Sequence, residues 1–131
     1  MSFRNDIVAR CEAIIRKNID TLKGDLNVSP EVEVLPQVKK EHLYLNKRNL
    51  LMGIFSSHEE LITIYPMNIW EKRCGLLPEP YIWDEFEELV REVLAHEMRH
   101  MWQHNHGTFH QENAEWDARE YATGFISGEA S

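Results

Sequence analysis

Residues 84–103 read DEFEELVREVLAHEMRHMWQ, and this stretch decides how the rest of the chain is understood. It contains no glycine or proline. Asp84 is a suitable helix N-cap, with Glu87 three residues later, and Pro78 and Pro80 punctuate the approach. Phe86, Leu89, Val90, Val93 and Leu94 recur at helical spacing as one apolar stripe. At about 100° per residue that stripe runs on into His96, Glu97, His100 and His104. Glu85, Glu88, Arg91, Glu92, Arg99 and Gln103 take the opposite face. The spacing therefore predicts a long helix that turns two histidines and a glutamate toward the core. Such a group is costly to bury unless it is paired or holds a cation.

The pentad His96-Glu97-Met98-Arg99-His100 has the form HExxH. Side chains at i and i+4 lie on one helix face, a turn apart, so each imidazole can offer one nitrogen to the same tetrahedral metal ion. Glu97 lies beside His96 and can reach a metal-bound water as a general base. A catalytic zinc commonly takes a third protein ligand. Downstream of His100 the candidates are His104, His106, His110, Glu112, Glu115 and Asp117. Gln111 to Ile126 reads as a second helix, with Glu112, Glu115, Ala118, Arg119, Ala122, Phe125 and Ile126 on one face. Ala118 and Ala122 are small enough to let another backbone approach closely.

The pentad, followed by Glu115-Trp116-Asp117-Ala118-Arg119-Glu120-Tyr121-Ala122, resembles the gluzincin zinc metallopeptidases, especially their minimal single-domain members. The resemblance covers the C-terminal third by motif and the remainder by element order. It implies zinc held by His96, His100 and Glu115, with Glu97 as the catalytic base. One position departs: many gluzincins carry Asp four residues after the ligand Glu, to support the first histidine, and this chain has Arg119. The support must then come from elsewhere, with Asp117 and Glu112 the candidates, or Arg119 pairs with a carboxylate such as Glu115. His106 stands where metzincins place their third histidine, but Gln103 occupies the turn position that those enzymes give to glycine. His104, His106, His110 and Tyr121 are the candidate donors to a developing oxyanion.

At 131 residues the chain reads as one domain. A net charge of −8 argues against nucleic acid as a partner. No apolar run is long enough to span a membrane and no leader is evident, so a cytoplasmic setting is the expectation. Cys11 and Cys74 read as free thiols. Residues 3–22 form an amphipathic helical pattern through Ile7, Cys11, Ile14, Ile15, Ile19 and Leu22, stopped by Gly24. Strand-like segments follow at 31–35, 49–56 and 61–65, with 56–60 as a hairpin loop, 42–45 as a further short strand and 67–75 as a short helix.

The expected fold class is α+β: an N-terminal helix, a small antiparallel sheet of three to four strands, then the two helices carrying the candidate ligands. In such zincin-like folds an edge strand borders the cleft, and either 51–53 or 62–64 could serve. The implied function is zinc-dependent hydrolysis of a peptide or protein substrate. The alternative is a zinc-binding regulatory module of the same fold that cleaves little.

Overall fold

The computed structural model describes residues 3–36, 51–74 and 81–128. Helix α1 spans Phe3–Leu26, strand β1 Glu31–Val34, strand β2 Gly53–Ser56 and strand β3 Leu61–Ile64. A short helix α2, Pro66–Ile69, runs into a π-helical turn, Trp70–Cys74. Helices α3, Tyr81–Asn105, and α4, Ala114–Ser127, complete the α+β fold. The expected strand at 42–45 lies outside the described residues, as does the beginning of the one at 49–56.

Helix α1 does not stop at Gly24. It continues for another half turn because Leu22 and Leu26, one turn apart, both enter the core. Burying a leucine contributes about 1.5–3 kcal/mol, which exceeds the roughly 1 kcal/mol that a glycine costs inside a helix. The helix ends where Asn27 adopts φ 53°, the left-handed conformation that closes many helices. Helix α3 likewise begins three residues before Asp84, because Ile82 is buried. Asp84 thus sits in the first turn, where its charge favours the helix dipole, instead of capping it. The apolar part of the predicted stripe, Phe86 to Leu94, is buried, with Ala95, Met98 and Met101 buried beside it, whereas His96 is half-buried and His104 exposed. Helix α3 is accordingly the central element, packed on α1, α4 and the sheet.

The sheet is mixed, where an antiparallel one was expected. Its order is β1-β3-β2, with β3 in the middle. The tight connection at residues 57–60 folds β2 antiparallel onto β3, pairing Gly53 with Ile64 and Phe55 with Ile62. The long connection from β1 to β2 lets β1 lie parallel to β3, with Val32 opposite Ile62 and Val34 opposite Ile64. Ile62 and Ile64 are fully buried in the core that α3 completes.

Among the described residues this order places one candidate at an edge and the other inside the sheet. Segment 62–64 is central, whereas β2 borders α3. The approach is close at Gly53, where a Cβ would stand 2.6 Å from Val93 Cγ1 and 3.4 Å from Glu97 Cγ. Only glycine fits there without displacement. The Asn68 amide donates to the Leu51 carbonyl at 2.8 Å and anchors the chain just ahead of β2. None of the described helices is long and apolar enough to cross a membrane.

Candidate metal centre

Helix α3 places His96 and His100 as their spacing predicts. Their Nε2 atoms are 3.1 Å apart and their rings nearly perpendicular, at 81°. Helix α4 brings in the third group. The chain leaves α3 through a turn in which Gly107 has φ 75° and the Thr108 N–H donates to the Gln103 carbonyl at 2.8 Å. Phe109 then packs on Phe55 and His100, with centroids 5.5 and 5.3 Å away. Ala114, Ala118 and Ala122 are all buried, so α4 can lie close to its neighbours, as the two alanines at 118 and 122 suggested. Glu115 extends from the first turn of α4 to both histidines. Its Oε1 is 2.8 Å from His96 Nε2 and its Oε2 is 3.1 Å from His100 Nε2.

Three ligand-type groups therefore converge, and His96, His100 and Glu115 form a possible metal-holding set among the described residues. The donor set suits a borderline cation such as zinc, which binds imidazole nitrogen and carboxylate oxygen at about 2.0–2.2 Å. Tetrahedral geometry at that length separates ligand atoms by roughly 3.3 Å. The separations of 2.8–3.1 Å need open by only a few tenths of an ångström. Burial holds His96 below the usual imidazole pKa despite the opposing pull of Glu115, which favours the neutral, ligating form.

Glu97 lies on the wall of the same cleft, a cavity of about 1030 Å³. Its carboxyl is buried and accepts a hydrogen bond from the Phe55 backbone N–H. Burial, reinforced by the charge of Glu115, pushes its pKa from 4.5 up to about 8, against the lowering effect of that hydrogen bond. A cation beside it would act in the opposite direction and favour the carboxylate.

Around this centre the placement of Gln103 changes, and several of the alternative candidates find other partners. Gln103, placed on the exposed face by periodicity, is 1 % exposed, because α4 covers that side of α3. Its Oε1 lies 2.8 Å from His100 Nδ1. The spacing of three residues after His100 was the available sequence signal. Asp117 lies outside the His96, His100 and Glu115 group. It receives both Arg99 Nε, at 2.8 Å, and Arg99 Nη2, at 3.2 Å, and this guanidinium holds its carboxyl below the usual range. His106 also lies outside that group, stacking on Trp102 with centroids 4.1 Å apart and hydrogen-bonding through Nδ1 to the Trp102 carbonyl.

The expected oxyanion donors are also elsewhere. Tyr121 donates its hydroxyl to Asp25, and neither it nor His104, His106 or His110 lines the cleft. Apart from His96 and His100, the donor side chains that line it among the described residues are Lys72, Gln111 and Arg119. Glu112 lines the cleft but supports neither histidine through any described hydrogen bond. Among the described residues Arg119 forms no ion pair, with Glu115 or any other carboxylate, although its charge lowers the His96 pKa.

Comparison with protein-family models, with curated proteins and with solved structures finds no match to this chain.

Proposed function

We propose that the chain is a zinc-dependent peptide-bond hydrolase of gluzincin type, with His96, His100 and Glu115 as the metal ligands and Glu97 as the general base. The observation that carries this reading is the convergence of those three side chains on the cleft that Glu97 also lines. Zinc bound there supplies a Lewis acid and lowers the pKa of water. Glu97 then accepts a proton as water attacks the carbonyl and returns it to the departing amine. Phe55 N–H orients the Glu97 carboxylate for that exchange. The substrate is a peptide or protein segment in extended form. The Tyr65 N–H bonds the Met52 carbonyl, so the register of β2 turns the backbone of Ile54 and Ser56 toward β3 and that of Gly53 and Phe55 toward the cleft. An extended peptide can align along this edge.

One observation favours a second reading, a zinc-binding module that cleaves little: none of the anticipated histidine or tyrosine donors lines the cleft. A single experiment separates the two. Purified chain is assayed for zinc content and for cleavage of a mixed peptide library, beside Glu97→Gln. Hydrolysis by wild type, abolished in a Glu97→Gln chain that retains zinc, is the expected result. Zinc binding without any cleavage favours the module, and failure to take up zinc removes both readings.

A further inference from the structure

The side-chain amide of Gln103 makes three polar contacts. Nε2 donates to the Ala114 carbonyl at 2.8 Å and to Asp117 Oδ2 at 2.8 Å, while Oε1 faces His100 Nδ1 at 2.8 Å. An amide nitrogen has two N–H donors, and both are committed. The reversed amide would set Oε1 against a carbonyl and a carboxylate at those same distances, acceptor against acceptor. The orientation is therefore over-determined. Asp117 is in turn held by the two-point contact with Arg99, whose guanidinium lies over the Trp102 ring, 3.7 Å from its centroid.

Oε1 can only accept, so His100 Nδ1 must carry the proton. A neutral imidazole has one N–H, which leaves Nε2 bare. That nitrogen faces Glu115 Oε2 and His96 Nε2, both at 3.1 Å. Glu115 pulls the other way, since its carboxylate would accept a proton carried on Nε2. The Gln103 side prevails because the opposite tautomer would leave a buried lone pair facing a buried amide oxygen, both without a donor. Glu115 is largely exposed and has His96 Nε2 as a second neighbour.

We propose that Gln103, oriented by Ala114 and Asp117, is a positioning residue that locks His100 in its Nδ1–H tautomer and so presents Nε2 as a free lone pair to a cation shared with His96 and Glu115. The cation rests on the function proposed above, but the tautomer does not. The test is long-range ¹H–¹⁵N NMR of the metal-free chain in mildly alkaline buffer, with zinc affinity measured in parallel by competition with a chelator. Wild type should show His100 as Nδ1–H. Gln103→Met conserves volume and removes the acceptor, so the pull of Glu115 should move the proton to Nε2. Zinc affinity should then fall about 10- to 100-fold, the usual range for losing such support. Wild-type His100 found as Nε2–H overturns the proposal, as does a folded Gln103→Met chain with an unchanged tautomer. The wild-type spectrum decides even where the variant does not fold. A chain that binds no zinc removes the proposed function, while His100 as Nδ1–H would still support the lock.

Discussion

Gly53→Ala tests the contact that sets strand β2 against the helix of the candidate centre. The added Cβ would stand 2.6 Å from Val93 Cγ1, roughly 1 Å inside the usual carbon–carbon separation. Two opposing effects decide the sign. Replacing glycine removes conformational freedom from the unfolded chain and stabilises by about 0.4–1 kcal/mol where the site tolerates alanine. Here it does not, because Val93 is β-branched and has essentially one rotamer in a helix, so the strand itself must move. Overpacking of this kind costs about 1–3 kcal/mol, and the clash wins. Displacing β2 also lengthens the hydrogen bond from the Phe55 N–H to Glu97. The assay is urea unfolding of Gly53→Ala, Val93→Ala and the double variant as a thermodynamic cycle. Gly53→Ala should destabilise by about 1–3 kcal/mol. Val93→Ala should destabilise through its cavity. The double variant should be more stable than the sum of the two by at least about 1 kcal/mol, since alanine at position 93 removes the clashing methyl. Strict additivity would refute the steric account of Gly53.

Glu97 gives a pH-dependent prediction for the metal-free chain. Its folded pKa of about 8 lies above its ordinary 4.5, so the folded state holds the proton more tightly. The stability it contributes is present below pH 4.5 and is lost progressively up to about pH 8. At about 1.4 kcal/mol per pH unit this loss is bounded at about 5 kcal/mol. Glu97→Gln should therefore gain stability over wild type across that window, in denaturant unfolding followed at several pH values. A constant difference between the two would count against a buried, proton-binding Glu97. For the ligand set, Glu115→Ala should weaken zinc binding by orders of magnitude in calorimetry, whereas His106→Ala should leave it nearly unchanged. Equal losses in both variants would remove Glu115 from its assigned role.

The α+β class, the long helix α3 and the shared face of His96, Glu97 and His100 were all legible in the residues, because helical periodicity is local and the i, i+4 relation needs no partner. The small alanines at 118 and 122 likewise announced a closely packed α4. Selection of Glu115 from several acidic and histidine candidates leaned on the motif resemblance, since the turn through Gly107 sets how α4 returns to α3. Strand direction was beyond reach of the sequence: the alternation in 31–35 is the same whether β1 lies parallel or antiparallel to β3, and a connection of that length permits either. Gln103 was misplaced because periodicity assigns one buried face to a helix, while α3 is covered on further sides by α4. The donors of the cleft were misjudged for a related reason. His106 found its partner locally, in Trp102 four residues earlier, whereas Tyr121 reached Asp25 through a contact that exists only once α4 and α1 are packed together. Local spacing thus placed the paired histidines, and packing between distant segments chose their third neighbour, the buried amide behind them and the strand edge beside them.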